Sequence, residues 1–264
     1  MRIAVAQTHI YWEDKKRNIE VARRFTQEAF ESLADFIVFP EMSFTGFSMN
    51  LEAVKEQEAK DEFSTNEEMK RLSTYYKIHI GYGWVKKGIA ACENHYTIVD
   101  PEGRIISDYI KIHPFSYGEE HHYFTKGDHL SFCNIKGQKV STFLCYDLRF
   151  PEIFQAASKK AEVIVVAANW PEARKEHFST LLKARAIENQ CYIIASNCVG
   201  TMKGDYYSGG SSIITPTGSV IDTIEHEEGL LIAELTEDVE KYRNTFPIKQ
   251  DRREDLYQRL WLPS

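Results

Sequence analysis

Residues 140–151, VSTFLCYDLRFP, predict a buried strand that ends in a polar turn and continues into a helix. The strand is expected over Val140–Leu144, and the helix is expected to begin at Pro151, because proline is favoured in a first helical turn. Cys145 would then lie at a sharp turn, beside backbone N–H groups that can lower a thiol pKa and bind an oxyanion. A cysteine in this position is still more often core than nucleophile, so the turn is only a candidate site.

Two other predicted strands also end in polar side chains. Glu41 follows Phe36–Phe39, and Asn169 and Trp170 follow Val163–Ala167. In open α/β sheets, ligands bind in the crevice beyond the carboxyl ends of the strands. These side chains therefore join Cys145 as candidates for one site, although their spacing alone does not show that they meet.

Apolar runs and amphipathic stretches alternate along much of the chain. Many of the apolar runs are continuous, which is typical of strands that are covered on both faces. Strands are predicted at Ile3–Gln7, Phe36–Phe39, Ile78–Trp84, Tyr96–Val99, Val140–Leu144, Val163–Ala167, Tyr192–Ser196, Ser212–Thr215 and Leu230–Ala233. Helices are predicted at Lys15–Leu33, Glu67–Lys77, Pro151–Lys160 and His177–Asn189.

The arrangement of these elements indicates the fold class. Hairpins are predicted within Ser211–Asp222 and around Asp100–Gly103, where turn residues separate apolar runs. Alternating strands and helices combined with hairpins imply mixed sheets covered by helices, which is an α/β layered sandwich. Without a linker-like stretch, residues 1–264 are expected to form a single domain, with about 237–264 as a tail on the surface or on a partner subunit.

Composition and charge exclude several classes of protein. The net charge of −7 argues against a nucleic-acid-binding protein, which needs clustered lysine and arginine. The sequence has no run of roughly 18 apolar residues, so no membrane span is expected. The short apolar start is interpreted as a first strand and not as a signal peptide. The 5 cysteines lack CxxC spacing, which favours reduced thiols and a cytoplasmic protein.

Five short blocks occur in order along the chain: FPE (39–41), KIHPF (111–115), CYDLRFP (145–151), ANWP (168–171) and ARAIENQ (184–190). Together they resemble the motifs of the nitrilase, or carbon–nitrogen hydrolase, superfamily. The resemblance extends from Ile3 to about Thr236. It implies a four-layer α-β-β-α sandwich of mixed sheets and an enzyme that hydrolyses a non-peptide carbon–nitrogen bond.

The resemblance also assigns catalytic roles. Cys145 would be the nucleophile and would form a thioester, and Glu41 would carry the proton. Lys111 and the backbone N–H of Tyr146 would stabilise the oxyanion. Family members commonly have a second glutamate, for which Glu120 is favoured here; its neighbour Glu119 remains an alternative.

Within the superfamily, the Cys-Tyr-Asp block favours an amide substrate over a nitrile, and the chain is similar to bacterial omega-amidases. Those enzymes deaminate monoamides of short keto dicarboxylic acids, such as α-ketoglutaramate and α-ketosuccinamate. The free carboxylate of such a substrate needs a cationic anchor, for which Arg174 is the first candidate. Arg149 is the second candidate, although a structural carboxylate partner is favoured for it. Asn169, Trp170 and Tyr146 are candidate substrate contacts, and both aromatic side chains could equally be core residues.

Two alternative functions stay open. The same residues could hydrolyse an N-carbamoyl amine or amino acid, and the fold could also serve a binding protein without turnover. The resemblance implies no cofactor, and a homo-oligomer, at least a dimer, is expected. His121 and His122 have no accompanying ligand set with metal spacing, so no metal is predicted. Arg185 and Glu188, three residues apart on one helix, are expected to form a structural ion pair.

Overall fold

A computed structural model describes residues 1–57 and 64–261. Its strands are β1 (Arg2–Gln7), β2 (Phe36–Val38), β3 (His79–Lys87), β4 (Cys92–Val99), β5 (Ile105–Ile110), β6 (Phe132–Ile135), β7 (Gln138–Leu144), β8 (Val163–Ala168), β9 (Tyr192–Asn197), β10 (Val199–Met202), β11 (Asp205–Ile214), β12 (Val220–Glu225) and β13 (Gly229–Glu234). Its α-helices are α1 (Lys15–Glu31), α2 (Leu51–Val54), α3 (Thr65–Tyr76), α4 (Pro151–Ala157), α5 (Lys175–Asn189), α6 (Val239–Thr245) and α7 (Glu254–Trp261). Among the described residues, none of these helices is long and apolar enough to span a membrane.

The first sheet has the strand order β13-β1-β2-β3-β4-β5. Its three central strands β1, β2 and β3 are parallel, whereas β13, β4 and β5 join it through antiparallel pairs. The carboxyl ends of β2 and β3 therefore meet at one edge of the sheet. Strand β4 is antiparallel to both of its neighbours, β3 and β5, so β5 runs in the same direction as β3. The carboxyl end of β5 therefore lies at that edge too.

The second sheet has the strand order β10-β11-β9-β8-β7-β6, and β12 pairs with β11. Strands β7, β8 and β9 are parallel and in close register, with Val140 opposite Val163 and Val163 opposite Tyr192. The residues that follow β7 and β8 are therefore neighbours at a single sheet edge. This register brings the turn at Cys145 beside Asn169.

Four layers result because each sheet buries both of its faces. Ile3 and Val5 of β1 share one core with Val163 and Val165 of β8, which shows that the sheets pack face to face. On the opposite face of β1, Ala4 and Ala6 pack with side chains of α1 and α3. Helices α4 and α5 cover the second sheet. The four-layer α-β-β-α sandwich predicted from the sequence is confirmed.

Several element boundaries differ from the prediction. Helix α1 ends at Glu31 and not at Leu33, where the backbone is left-handed with φ 58°. Helix α4 ends at Ala157, three residues before the predicted end at Lys160. Strands β6 and β10 were not predicted, because both are four residues long and too short to show an apolar pattern.

The C-terminal segment contains two helices that were not predicted. The Arg243 guanidinium of α6 donates to the Gln190 carbonyl at 3.0 Å and to the Ala161 carbonyl at 2.8 Å. Lys159, which follows α4, forms a 2.6 Å ion pair with Glu254 of α7. The described part of this segment therefore packs against the helix layer of its own chain.

Candidate active site

Glu41 is placed by a close approach between two backbones. The residues after β2 continue alongside β3, because the Phe39 N–H donates to the Gly81 carbonyl at 2.9 Å and the Ser43 N–H to the Gly83 carbonyl at 3.1 Å. A Cβ atom at Gly83 would lie 2.8 Å from the Glu41 Cα and closer still to the Met42 nitrogen. Only glycine permits this approach, which leaves the Glu41 side chain fully buried.

Lys111 follows β5 and is also buried, with 1% of its surface exposed. Its backbone N–H donates to the Asn94 carbonyl at 3.0 Å, and its own carbonyl accepts the Gly127 N–H at 2.8 Å. Its ammonium donates to Glu41 Oε1 and to Glu120 Oε2, each at 2.8 Å. The structure thus joins Lys111 to two carboxylates.

The second carboxylate belongs to Glu120 and not to its neighbour. Glu120 is fully buried, and its Oε2 also accepts the Phe115 N–H at 2.6 Å. Glu119 is exposed and has a left-handed backbone with φ 61°, which turns the chain so that Glu120 points inward. Of the two alternatives left by the sequence, only Glu120 contacts Lys111.

Asn94 completes the cluster and was missed by sequence reasoning. Its Nδ2 donates to Glu41 Oε1 and to Glu120 Oε1, each at 2.9 Å. The strand predicted here began at Tyr96, whereas β4 begins at Cys92 and includes Asn94. An asparagine two residues before the apolar run that begins at Tyr96 was the available signal. We call Glu41, Lys111, Glu120 and Asn94 the carboxylate–lysine cluster.

Cys145 lies directly after β7, at the start of a 3-10 turn that extends to Arg149. Its φ of 41° is a left-handed conformation that costs a non-glycine residue roughly 1–3 kcal/mol. Asp147 supports the turn, because its Oδ2 accepts the Leu144 N–H at 3.1 Å and the Tyr109 hydroxyl at 2.8 Å. The Cys145 Sγ lies 3.8 Å from the Asn169 carbonyl oxygen.

The charges of the cluster govern the protonation of Cys145. Glu41 accepts hydrogen bonds from Lys111, from Asn94 and from the Asn169 N–H at 3.1 Å, which is the environment of an ionised carboxylate. Burial raises the pKa of the Cys145 thiol well above its usual value, and the charge of Glu41 raises it further, against the opposing effect of Lys111. Burial and the neighbouring Glu41 therefore favour a protonated thiol at Cys145.

Lys111 keeps its charge in spite of its burial. Burial alone lowers the pKa of a lysine, but the attraction of Glu120 and then of Glu41 outweighs this effect, and the net shift of the Lys111 pKa is upward. The cluster joins two carboxyl groups to one ammonium, each at 2.8 Å. Burial is the main cause of the raised pKa of the Cys145 thiol, and the nearby carboxyl groups reinforce it.

Cys145 faces a cavity of about 400 Å³. The cavity also contains both candidate anchor arginines, Arg149 and Arg174, together with Tyr146, which shares the 3-10 turn with Cys145. The remaining lining residues are Phe47, Met49, Phe115, Tyr117, Gly118, Asn169, Trp170, Pro171, Asp205 and Tyr207. A cavity of this size accommodates a small organic molecule.

The arginines of the cavity have no carboxylate partners within residues 1–57 and 64–261. The Arg149 guanidinium lies 4.7 Å from the Trp170 ring centroid and 3.4 Å from His177 Nδ1. The expectation that Arg149 pairs with a carboxylate was therefore wrong for this part of the chain. Arg174 lies 5.7 Å from the Phe115 ring centroid. Both cations are available to an anionic ligand.

Other side chains near the cavity have structural contacts. Trp170 is only 3% exposed and donates through Nε1 to the Arg174 carbonyl at 2.8 Å, so it is both a core residue and part of the cavity wall. Arg185 forms the predicted ion pair with Glu188 at 2.9 Å and also donates to the Leu148 carbonyl at 2.8 Å. The second contact ties α5 to the turn that holds Cys145.

The described residues contain no group of three or more histidine, cysteine, aspartate or glutamate side chains arranged to hold a metal ion. The four other cysteines are free and buried, as the sequence predicted: Cys92, Cys133, Cys191 and Cys198.

Comparisons with known proteins agree with this geometry. The profile of the carbon-nitrogen hydrolase family matches residues 2–244. The 2-oxoglutaramate amidase of Bacillus subtilis (strain 168) is 35% identical over 259 residues, covering 97% of this chain and 98% of that protein. Omega-amidase YafV of Escherichia coli (strain K12) is 32% identical over 266 residues, covering 99% of each chain. A crystal structure of an amidase from Nesterenkonia sp. superposes with a TM-score of 0.86 at 25% identity, covering 99% of this chain and 96% of that one.

Proposed function

We propose that this chain, which belongs to the carbon–nitrogen hydrolase family, is an omega-amidase that acts on monoamides of short keto dicarboxylic acids. Family membership makes it an amidohydrolase of non-peptide carbon–nitrogen bonds. The reaction converts a terminal amide and water into a carboxylate and ammonium. One observation supports the proposal most strongly: Asn169 links the buried carboxylate–lysine cluster to Cys145, and the cavity of Cys145 also contains two arginines without carboxylate partners among the described residues.

The first half of the reaction forms a thioester. As the Cys145 sulfur attacks the amide carbon, the ionised Glu41 accepts the thiol proton. This transfer overcomes the raised pKa of the thiol, because the proton moves while the carbon–sulfur bond forms. When the tetrahedral intermediate collapses, Glu41 returns the proton to the amide nitrogen, and ammonia leaves.

The second half hydrolyses the thioester. Glu41 is ionised again and accepts a proton from the attacking water, whose oxygen bonds to the acyl carbon. The second tetrahedral intermediate expels the Cys145 sulfur, which recovers its proton from Glu41. Acid–base catalysis of this kind is typically worth about 10²–10⁴-fold in rate.

Lys111 and the Tyr146 N–H are proposed to stabilise the oxyanion in both intermediates. One such donor is worth on the order of 10²–10³-fold in rate. Lys111 is held between Glu41 and Glu120 at 2.8 Å from each, so its ammonium is already positioned before a substrate binds. Glu120 is proposed to position Lys111, since it contacts the ammonium directly.

Arg174 is proposed to bind the free carboxylate of the substrate, with Arg149 as the second candidate. Charge-assisted hydrogen bonds between a guanidinium and a carboxylate are among the strongest in proteins. Both arginines are half-buried at the cavity, where partial removal from water strengthens such a contact. Asn169, Trp170 and Tyr146 would form the wall beside the amide end.

The enzyme is further proposed to act in the cytoplasm as a homo-oligomer, at least a dimer. The exposed Phe246, with 55% of its surface accessible, and the exposed Ile187, with 51%, are compatible with a subunit contact. Light scattering coupled to size-exclusion chromatography would measure the subunit number. A monomer at micromolar concentration would contradict this part of the proposal.

Ammonia release from a substrate panel tests the proposed activity. The panel contains α-ketoglutaramate, α-ketosuccinamate, uncharged amides, N-carbamoyl amino acids and nitriles, and we expect the highest kcat/KM with the keto acid monoamides. Cys145→Ala should abolish turnover. Cys133→Ala, at a buried cysteine of β6 outside the cavity, is the matched control and should stay active.

The panel also separates the alternatives. A clear preference for the N-carbamoyl compounds would overturn the omega-amidase assignment within the same family. Absence of turnover with every compound, together with stoichiometric labelling of Cys145 by iodoacetamide, would favour a binding protein. Protection of Cys145 from labelling by the preferred substrate would identify the cavity as the place where that substrate binds.

A further inference from the structure

We infer that Asn94 is a positioning residue that keeps the two carboxylates of the cluster apart and ionised. Its Nδ2 donates one hydrogen to Glu41 Oε1 and the other to Glu120 Oε1, both at 2.9 Å. Lys111 joins the same two carboxylates from its own side, at 2.8 Å each. Glu41, Lys111, Glu120 and Asn94 therefore form a closed ring of hydrogen bonds.

When two buried carboxylates share one cation, one of the carboxylates can become protonated. Like charges at close range favour the protonated form of one partner, so such a pair tends to share a proton. A carboxylic acid at Glu41 could not accept the thiol proton. An amide NH₂ group prevents this, because it has two donors and its nitrogen accepts no proton near neutral pH.

The backbone holds Asn94 in place independently of its side chain. The Asn94 carbonyl accepts the Lys111 N–H at 3.0 Å, which extends the β4–β5 ladder by one pair beyond His95 and Ile110. Side chains alternate along a strand, so the neighbouring His95 points to the other face, where it contacts Asp108 at 2.9 Å. The Asn94 side chain is therefore aimed at the cluster by the sheet itself.

Asn94 acts through the carboxylates and not on the substrate. Its side chain is 1% exposed and does not line the cavity of Cys145. Substitutions should therefore lower kcat and alter the pH profile while leaving KM nearly unchanged. A structural role alone would lower the amount of folded enzyme without moving the pH profile.

Three variants at this position remove donors in steps. Asn94→Ser retains one donor, Asn94→Ala has none, and Asn94→Asp replaces both donors by a further acidic group. The pH dependence of kcat and KM is measured with the best amide of the panel, and the pH dependence of Cys145 alkylation by iodoacetamide is measured in parallel.

We expect the acidic limb of kcat/KM to move to higher pH, because the ionised carboxylates lose a donor that favours them over the protonated form. The shift should be about one to two pH units for Asn94→Ala, since one hydrogen bond to a charged group has about this value. Asn94→Ser should fall between the wild type and Asn94→Ala. Asn94→Asp should show the largest shift and a kcat at pH 7 lower by about 10²-fold.

Asn189→Ala is the matched control. Asn189 is also 1% exposed and donates through Nδ2, in its case to the Arg185 carbonyl at 2.9 Å, but it lies outside the cluster. Its variant should keep the wild-type pH profile even if it unfolds at a lower temperature.

If Asn94→Ala does not fold, Asn94→Ser takes its place, and an unshifted acidic limb of kcat/KM in Asn94→Ser overturns the inference. The inference is also overturned if Asn94→Ala has an acidic limb at the wild-type pH. A raised KM with unchanged kcat in Asn94→Ala overturns it as well.

The inference rests on the proposed role of Glu41 as the proton acceptor, but the two can fail separately. If the wild type hydrolyses no amide of the panel, the proposed function fails, whereas a shifted alkylation profile still supports Asn94 as a positioning residue. If the wild type is active and neither profile shifts in the variants, the inference fails and the proposed function stands.

Discussion

The carboxylate–lysine cluster and the arginines of the cavity lie close to the same cysteine, yet they differ in how their charges are paired. In the cluster every charged side chain is at most 1% exposed, and each oxygen of Glu41 and Glu120 accepts at least one hydrogen bond. Arg149 and Arg174 are half-buried and have no carboxylate partner within the described residues.

This difference indicates that the cluster serves the chemical step and that the arginines serve the choice of substrate. A fully buried charge is tolerated only when it is paired, so the geometry of the cluster must be complete before any ligand arrives. A half-buried arginine can remain hydrated and acquire its partner on binding. We therefore expect changes at the charged residues of the cluster to lower kcat and stability, and changes at the arginines to raise KM for charged substrates only.

The largest effect should follow the removal of the single cation in the cluster. Lys111→Met leaves two buried carboxylates unpaired, which should lower the free energy of unfolding by about 3–5 kcal/mol. It also removes the proposed oxyanion donor, so kcat/KM should fall by about 10²–10³-fold or more. Urea denaturation and steady-state kinetics measure the two losses.

Lys126→Met is the control for that variant, because Lys126 is an exposed lysine in the same part of the chain. It should change neither quantity. If Lys111→Met kept a tenth of the wild-type activity and full stability, the buried cluster would tolerate the loss of a charge as well as the arginines of the cavity do. That result would contradict the difference proposed between the two regions.

A second test moves the cluster without changing any of its side chains. Gly83→Ala places a Cβ atom 2.8 Å from the Glu41 Cα, so the backbone that carries Glu41 must shift. A displacement near 1 Å can reduce kcat by about 10²-fold. KM should change little, because Gly83 does not line the cavity.

Gly229→Ala is a matched control in the same sheet. The added Cβ at Gly229 would meet the terminal Cδ1 of Ile224, a side-chain atom that can rotate away. We expect nearly wild-type kinetics for this variant. Equal losses in both glycine variants would mean that the position of Glu41 is not the sensitive quantity.

A smaller and more selective effect is expected at the arginines. Arg174→Ala should raise KM for α-ketoglutaramate by about 10–100-fold, the value of a hydrogen bond to a charged group, and should leave kcat nearly unchanged. An uncharged amide of similar length should be hydrolysed as by the wild type. Arg149→Ala in the same assay shows which arginine is the anchor, and equal losses with both amides would contradict a carboxylate-binding role.

The smallest signal concerns the resting charge of Cys145, the proposed nucleophile. Burial and the negative charge of Glu41 raise the pKa of the Cys145 thiol, so no thiolate ultraviolet absorbance that depends on Cys145 should appear at pH 7. In Glu41→Gln one of the causes is removed, and the thiolate should appear at lower pH than in the wild type. A thiolate signal at neutral pH in the wild type would contradict the proposed transfer to Glu41.

Much of the fold was determined by local sequence. Continuous apolar runs predicted β1, β7, β8 and β9 with boundaries correct to within two residues, because a strand that is covered on both faces is mostly apolar. The same runs identified Glu41, Cys145 and Asn169 as polar residues at strand ends. Short strands such as β6 and β10 could not be found in this way, since four residues are too few to establish a period.

The composition of the cluster was decided by tertiary structure. Glu41 lies 53 residues from Asn94 and 70 from Lys111 in sequence, yet all three share hydrogen bonds. The resemblance favoured Glu120 over Glu119, but neither it nor the local sequence identified Asn94 and Gly83. The contacts of these two residues depend on strand register and on the distance between neighbouring backbones. Packing across the whole sheet sets both quantities.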